Sequence, residues 1–425
     1  MPILRRPHMN LLRSSAYTGV ATLAKLLAAL VVVKLVAIHA GPQGMGRLGQ
    51  FLNLMSVLAV LAGGGISAGI VKYVAEYRGD PQAQARLLGT ALWYAFCASC
   101  VLAVLALLFS RALAERLLGD AAYRPLICVL AIAQLGIAVV NYILAVINGF
   151  MDVRRLAVVQ VSGAVLSMAL VAWLSSRAQL QGALLALVLG QVLWLLAGVP
   201  ALRASPYFRR EMLRMRFDAP MARRLAAFSV MTLTSTLVPQ MVVMLVRDHL
   251  VAQFGWQQVG YWQAVSRVSD AYLLFFTTAI NVYYLPKLAS LHERAALGRE
   301  LRAAYRYVMP AVIGMALGVY VCRDWVTWVL FDQGFSAARA LYAPQLIGDV
   351  VKIAAFVLSY VMLAKAMTRV FVLSECVFAA SYLGLVYLFT AHFGLVGAMY
   401  AFVANYVLYL LFNIVVVRRY LVQPA

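Results

Sequence analysis

The chain has 425 residues, of which 64% are hydrophobic and only 12% are charged, and its mean hydropathy is +0.87. This composition lies outside the range of soluble domains and excludes water as the main solvent. The formal net charge of +21 would favour a nucleic-acid partner in a soluble protein, but here most Arg and Lys residues lie in short segments between apolar runs, so we expect no nucleic-acid binding.

Apolar runs of about 20 residues, long enough to cross ~30 Å of hydrocarbon as a helix, recur along the whole chain. In the first half we predict transmembrane helices at residues 14–39, 47–75, 86–110, 124–148, 155–176 and 180–201. In the second half we predict them at residues 223–247, 259–286, 303–322, 342–364, 369–391 and 395–417. The sequence therefore predicts an all-α polytopic membrane protein of about twelve helices.

The basic residues predict the orientation of these helices. If the N-terminus is cytoplasmic, the inside segments hold nearly three times as many Arg and Lys residues as the outside segments. Short loops rich in Arg and Lys stay on the cytoplasmic side of a membrane. We therefore expect both termini in the cytoplasm, and an even number of spans.

The sequence repeats itself at an offset of about 211 to 215 residues, as when Gly136 matches Gly348 and Arg155 matches Arg369. Because each repeat holds six spans, both halves enter the membrane in the same orientation, which predicts a pseudo-two-fold axis along the membrane normal. We predict an N-terminal lobe at 1–201, a basic cytoplasmic linker at 202–222 and a C-terminal lobe at 223–425.

The first half carries polar side chains inside its predicted spans, where a charge at the helix centre costs roughly 2.5–3.5 kcal/mol. Lys25 lies on one helical face with Thr18, so we expect it to face a cavity. Lys34 lies on the opposite side of an ideal helix and either faces the same lumen or extends to the periplasmic interface. Lys72 ends the second span and is expected to reach the interface.

The fourth predicted helix has an uncharged polar stripe at sevenfold spacing, formed by Gln134, Asn141 and Asn148. These amides are able to form hydrogen bonds with hydroxyl or amide groups. The alternative is that they hold neighbouring helices together.

Two helices of the second half carry an acid and a base three residues apart. Arg267 and Asp270 share a polar face with Gln263 in the eighth predicted helix, and Asp349 and Lys352 lie in the tenth. Such residues line a path through the membrane, or they neutralise each other as structural pairs. In the eleventh helix Glu375 lies inside the predicted span.

The buried charges lean towards the cationic side, which favours an anionic substrate such as a phosphate or a carboxylate. The candidate substrate-binding residues are Lys25, Lys34, Lys72, Arg267, Lys352, Gln134, Asn141 and Gln263. The sequence contains no nucleotide-binding GxxxxGK[ST] motif and no catalytic set, so we expect neither an enzyme nor a bound metal or cofactor. A proton or sodium gradient is the remaining source of energy, with Asp270, Asp349 and Glu375 as candidate coupling residues.

Several long motifs resemble the Wzx-type flippases of lipid-linked oligosaccharides, which belong to a superfamily with the multidrug exporters. The resemblance rests on TLAKLLAALVVVKLVA, VLAGGGISAGIVKYVAEY, VGYWQAVSRVSDAYL, YLPKL, RDWVTWVLF and LIGDVVKIAAFVLSYVMLAKA, which are spread over both halves of the chain. It implies a fold of the kind found in multidrug and toxic compound extrusion (MATE) transporters, with two six-helix lobes that open alternately to the two sides. On the matching positions it implies that the charged interior residues are Lys25, Lys34, Lys72, Asp270, Asp349 and Lys352.

The resemblance also implies a substrate, an undecaprenyl-pyrophosphate-linked oligosaccharide of the enterobacterial common antigen or O-antigen class, moved from the cytoplasmic to the periplasmic leaflet of the bacterial inner membrane. Its implied partners are this glycan, the membrane lipids, and a polysaccharide polymerase and chain-length regulator. The rival interpretations are a multidrug or cation antiporter on the same fold and a membrane polymerase or ligase. The latter would normally need a large periplasmic loop, and the longest outside segment has only about 20 residues.

Overall fold

A computed structural model describes residues 11–77, 79–280, 284–291, 293–365 and 367–422, and within these ranges the chain forms helices and turns without a β-strand. The helices of the first half are α1 (Leu11–Ala62), α2 (Ser67–Glu76), α3 (Pro81–Leu108), α4 (Ser110–Leu118), α5 (Arg124–Gly149) and α6 (Val153–Arg203). The second half contains α7 (Ala219–Ala279), α8 (Leu285–Ser290), α9 (Arg294–Val321), α10 (Arg323–Leu330), α11 (Arg339–Ala364), α12 (Thr368–Phe393) and α13 (Val396–Val422).

Three of these helices are long enough to cross a membrane twice. Each of them is broken near its middle by residues with non-helical backbone angles, where the chain can turn back. The breaks lie at Gly41 in α1, at Ala178 and Gln179 in α6, and at Gly255 in α7. Among the described residues, eight helices are both long and apolar enough to span a membrane: α1, α3, α5, α6, α9, α11, α12 and α13. When α1, α6 and α7 are counted twice by their length, the helices of the described part accommodate the twelve predicted spans. The prediction of an all-α polytopic membrane protein is confirmed.

The predicted second span, 47–75, is not one continuous helix. Gly64 and Gly65 have φ angles of +60° and +68°, which side chains rarely adopt, and they separate α1 from α2. A Cβ atom on Gly64 would lie 2.3 Å from the ring of Tyr94. The glycines therefore allow both the break and the close approach of α3.

The sequence repeat reappears as a repeat of local geometry. Gly41 and Gly255, which match at the repeat offset, both have positive φ (58° and 77°), and Gln179 and Gly394 form a second such pair (45° and 61°). A Cβ atom on Gly182 would lie 2.1 Å from the carbonyl oxygen of Leu174, and its repeat partner Gly397 has the same close approach. Matching positions of the two halves therefore both have positive φ angles and the same close backbone approaches where one helical segment ends and the next begins.

The helices assemble into two compact units. Unit 1 is Met1–His39 with Gln50–Gln240, and unit 2 is Ala40–Gly49 with Met241–Ala425. The boundary lies inside α7, whereas the repeat marks the start of the second half at the linker 202–222. The lobe and linker boundaries taken from the repeat stay a prediction.

The basic segment 202–222 packs on unit 1 through polar and aromatic contacts. The buried hydroxyl of Tyr142 donates a hydrogen bond to the carbonyl of Met212 at 2.8 Å, and the Tyr207 ring stacks on Phe150 with 4.0 Å between centroids. Burial, together with the nearby Asp152 carboxylate, raises the pKa of Tyr207 to about 12, so this phenol keeps its proton at neutral pH. These contacts hold the segment as an integral part of unit 1.

Candidate functional site

A cavity of about 520 Å³ lies within unit 1, between the two arms of α1, the start of α2, α5 and the second arm of α6. Its polar lining residues are Lys25, Ser56, Ser67, Asn141, Gln191 and Trp194. The spacing of these residues explains the lining, since α5 contributes positions 137, 140, 141 and 144 and α6 contributes 191 and 194. Residues three and four apart share one face of a helix, so each helix turns a single face to the cavity.

Lys25 brings the positive charge of this cavity. Its side chain is accessible, and its Nζ atom lies 6.0 Å from the centroid of the Trp194 ring. At this distance a cation is attracted weakly by the face of the indole. Of the two lysines in the first predicted span, Lys25 is therefore the one that lines the cavity, while Lys34 is half-buried outside its lining.

Trp194 is held in place from two directions. A Cβ atom on Gly163 would lie 2.5 Å from the indole ring, so the ring rests directly on the backbone of the first arm of α6. The indole Nε1 donates a hydrogen bond to the Ser167 hydroxyl at 3.1 Å. The ring therefore lines the cavity in a fixed orientation.

The amides of the α5 stripe have different surroundings. Asn141 is half-buried in the cavity wall, and its Nδ2 donates a long bond of 3.4 Å to the carbonyl of Ala59. Gln134, two turns away, is fully buried outside the lining, and its amide nitrogen and oxygen have no hydrogen-bond partner among the described residues. The structure thus brings Asn141, but not Gln134, to Lys25.

Lys72 lies apart from the cavity lining, on the exposed side of α2. Its Nζ atom is 5.2 Å from the centroid of the Tyr73 ring. An exposed lysine near the end of a span fits the interfacial position that the sequence predicts for it.

Unit 2 contains a polar cluster of a different kind, centred on Asp349 in α11. This carboxylate is fully buried; it accepts a hydrogen bond from the Tyr272 hydroxyl at 2.7 Å and another from the Gln345 amide at 3.0 Å. Both donors are neutral, and they belong to two different helices, α7 and α11. The carboxylate is therefore held within the protein by hydrogen bonds.

Lys352 does not form an ion pair with Asp349 among the described residues, although an acid and a base three residues apart can neutralise each other. Instead its Nζ atom lies 5.8 Å from the ring centroids of Phe356 and Phe402 and 5.7 Å from that of Tyr406. The two charges still attract each other electrostatically, so a role for these two residues as a structural pair stays a prediction. The side chain of Lys352 turns to three aromatic rings, which attract a cation through their faces.

The second acid–base pair does form. Arg267 and Asp270 approach to 3.6 Å, with the Asp270 side chain 62% exposed. Glu375, on α12, is also exposed, and its carboxylate accepts a hydrogen bond from Tyr409 at 3.0 Å. These two acids are thus much more accessible than Asp349.

Arg247, on α7, is a buried polar residue that is not among the candidate residues named from the sequence. The structure buries it almost completely, with 2% of its surface exposed, and its guanidinium donates a hydrogen bond of 2.6 Å to Gln263. Gln263 in turn packs on Gly49, where a Cβ atom would lie 2.3 Å from the amide oxygen. No spacing in the sequence links residues 247, 263 and 49.

The chain matches the family model of polysaccharide biosynthesis proteins over residues 40–340. It belongs to this family. The lipid III flippase of Escherichia coli (strain K12) is 36% identical over 403 residues, which cover 94% of this chain and 96% of the relative. The lipid III flippase of Shigella flexneri has the same identity and coverage. The resemblance to oligosaccharide-lipid flippases is therefore confirmed.

Similarity to solved structures establishes the fold of this chain. A multidrug resistance transporter of the MATE family, in an inward-facing conformation, aligns with a TM-score of 0.77 at 14% identity, covering 96% of this chain and 98% of the transporter. The lipid II flippase MurJ, in an inward closed conformation, aligns with a TM-score of 0.74 at 12% identity, covering 96% and 87%. The predicted MATE-like fold is confirmed, and at these identities the similarity concerns the fold alone.

Proposed function

We propose that this protein is a flippase that moves an undecaprenyl-pyrophosphate-linked oligosaccharide from the cytoplasmic to the periplasmic leaflet of the bacterial inner membrane. The observation that carries the proposal is the 36% identity with lipid III flippases, which extends over 94% of the chain. Translocation leaves the substrate chemically unchanged, so the protein is a transporter and not an enzyme.

The cavity of unit 1 is suited to the polar part of such a lipid. The hydrocarbon core strongly disfavours charged and hydroxyl-rich groups, so a glycan crosses only along a path of polar contacts. Lys25 offers a positive charge, and Asn141 and Gln191 offer amides. The apolar prenyl chain needs no such path and stays in the lipid.

Alternating access is the proposed transport cycle, with the two lobes opening in turn to each side of the membrane. A proton or sodium gradient is its proposed source of energy. Asp349 is the preferred coupling residue because it is fully buried between neutral donors, so that gain or loss of a proton or a sodium ion would change the balance of its hydrogen bonds. Asp270 and Glu375 are accessible alternatives.

The proposed partners are the lipid-linked glycan, the surrounding membrane lipids, and a polysaccharide polymerase with its chain-length regulator. Both termini are proposed to lie in the cytoplasm, in accordance with the distribution of basic residues along the sequence. A multidrug antiporter shares the fold, but no other feature of the described chain favours that function.

Deletion of the gene in its host tests the proposal. The lipid-linked oligosaccharides on the cytoplasmic face are then extracted and identified by mass spectrometry. The expected result is accumulation of one lipid-linked oligosaccharide, which is reversed fully by the intact gene and only in part by Lys25→Ala. If no such lipid accumulates, or if the deletion changes only the sensitivity to drugs, the flippase proposal is wrong.

A further inference from the structure

The lining of the unit 1 cavity contains a single charged side chain, that of Lys25, among the residues that the structure describes there. A pyrophosphate carries at least two negative charges, and proteins usually bind such groups with several cations or with backbone amides at a helix N-terminus. One ammonium group is a poor match for that ligand. The cavity is therefore better suited to a different part of a lipid-linked oligosaccharide.

The other lining groups match a sugar ring. Trp194 presents a flat aromatic surface in a fixed orientation, since Gly163 supports the ring and Ser167 accepts the bond from its Nε1. One face of a pyranose ring consists mainly of C–H groups, whose slightly positive hydrogens are attracted to the negative face of an aromatic ring. Because the indole is already immobile, a sugar that stacks on it loses little additional freedom.

The hydrogen-bonding groups around the cavity are complementary to hydroxyl and acetamido substituents. Asn141 and Gln191 carry amides that both donate and accept. The Ser56 hydroxyl donates to the carbonyl of Leu52 at 2.8 Å, which leaves its oxygen to accept a bond from a sugar hydroxyl. A volume of about 520 Å³ is within the range of ~300–1,000 Å³ that is usual for pockets that enclose small molecules.

We propose that this cavity is a glycosyl subsite, in which Trp194 stacks on one sugar ring while Asn141, Gln191 and Ser56 bond its polar substituents, and that the pyrophosphate binds outside it. The proposal deepens the flippase function and rests on it. It assigns to Trp194 the role of a binding platform, and to Gly163 and Ser167 the role of positioning residues.

The test compares two probes on the purified full-length chain in lipid nanodiscs. One probe is the oligosaccharide released from its lipid, which has no phosphate, and the other is undecaprenyl pyrophosphate without a sugar. For Trp194→Ala we expect binding of the free oligosaccharide to weaken by about tenfold, and binding of undecaprenyl pyrophosphate to stay within about twofold of the unchanged chain. Calorimetry measures both affinities.

Two further variants separate stacking from folding. Trp194→Phe keeps an aromatic face and is expected to retain most of the oligosaccharide affinity, whereas Asn141→Ala is expected to lose part of it without any change at Trp194. The matched control is Trp173→Ala, because Trp173 is 59% exposed on the same helix, outside the cavity lining. A thermal unfolding measurement shows whether each variant is folded.

The results distinguish this proposal from the flippase proposal. If the unchanged chain transports the lipid-linked oligosaccharide, but Trp194→Ala binds the free oligosaccharide as the unchanged chain does, the glycosyl subsite is wrong and the flippase function stands. Equal weakening for both probes in Trp194→Ala would also overturn the subsite. If the unchanged chain neither binds nor transports the lipid-linked oligosaccharide, the flippase proposal itself fails.

Discussion

The cavity of unit 1 and the Asp349 cluster of unit 2 both combine one charged side chain with neutral polar and aromatic ones, but they differ in how accessible the charged group is. In unit 1 the charged group, Lys25, is accessible, and its neighbours make few strong bonds to one another. In unit 2 the carboxylate of Asp349 is fully buried, and protein groups occupy both of its oxygens. A polar group that the protein already satisfies organises the fold, whereas one that stays accessible is available to a ligand.

Two of the lysines within the predicted spans, Lys25 and Lys352, show the same contrast. Lys25 approaches one aromatic ring and faces a cavity, while Lys352 lies among three rings at nearly equal distances. Desolvation makes a cation–π contact stronger, from about 0.5–1 kcal/mol in water to ~2 kcal/mol or more. We therefore expect Lys352 to matter mainly for stability and Lys25 mainly for transport.

The largest effect is expected for Asp349→Ala, which leaves the Tyr272 hydroxyl and the Gln345 amide without their partner. Each buried unpaired group costs about 1–3 kcal/mol, so the variant should unfold at a much lower temperature. Thermal unfolding in nanodiscs measures this. The control is Asp270→Ala, which removes an exposed acid from the same unit and should change stability by less than about 1 kcal/mol.

Asp349→Asn separates the structural role from the coupling role. An amide can still accept a bond from Tyr272, so this variant should fold better than Asp349→Ala. If Asp349 carries the coupling ion, transport by Asp349→Asn should no longer respond to a proton or sodium gradient. Unchanged gradient dependence would remove Asp349 from the list of coupling residues.

The next largest effect is expected for Lys25→Ala, in transport and not in stability. The side chain is accessible, so its removal leaves no buried group unpaired, but the cavity loses an ammonium group that can donate hydrogen bonds to oxygens of the glycan. We expect the transport rate to fall about tenfold, which corresponds to ~1.4 kcal/mol of binding energy, with an unchanged unfolding temperature. Lys72→Ala, outside the lining, is the control, and an equal loss of transport in that variant would contradict the assignment of the cavity.

A smaller effect is expected for Lys352→Met, which keeps the length of the side chain and removes its charge. Loss of the attraction to three rings should lower stability by about 1–2 kcal/mol, while Lys25→Met should leave stability unchanged. Chemical denaturation compares the two variants. A stable Lys352→Met variant that no longer transports would reverse the contrast drawn here and make Lys352 a substrate-binding residue.

The smallest effect is expected for Glu375→Gln. The carboxylate is exposed, and an amide oxygen can still accept the bond from Tyr409, so stability should change by less than about 0.5 kcal/mol. Transport under a proton gradient and under a sodium gradient is the decisive measurement. Loss of the gradient response in this variant, with Asp349→Asn still responding, would make Glu375 the coupling residue.

The sequence predicted the transmembrane architecture well because hydrocarbon thickness imposes a length on every span. The repeat offset was also visible, and the structure shows its physical basis at positions such as Gly41 and Gly255, where the chain must adopt a positive φ. The break at Gly64 and Gly65 lies inside the single predicted span 47–75. Whether a run of glycines bends a helix or ends it depends on what packs there, in this case Tyr94.

The candidate site was predicted in part. Lys25 and Asn141 stood out because polar residues are rare within spans, but Trp194 and Gln191 lie in an ordinary apolar run and gained significance only when five helical segments formed a cavity. Arg247 was not among the candidates because it ends the predicted span 223–247, whereas α7 continues to its break at Gly255. Spacing alone also could not show that the Lys352 side chain lies among three aromatic rings.

Reconstitution of the purified protein in liposomes tests the central claim most directly. The assay uses a fluorescent undecaprenyl-pyrophosphate-linked oligosaccharide and measures how fast it becomes accessible to a membrane-impermeant reagent on the opposite leaflet. We expect transfer well above that in protein-free liposomes, slowed about tenfold by Lys25→Ala and unaffected by Lys72→Ala. Transfer at the rate of protein-free liposomes, or an identical rate in all three proteins, would contradict it.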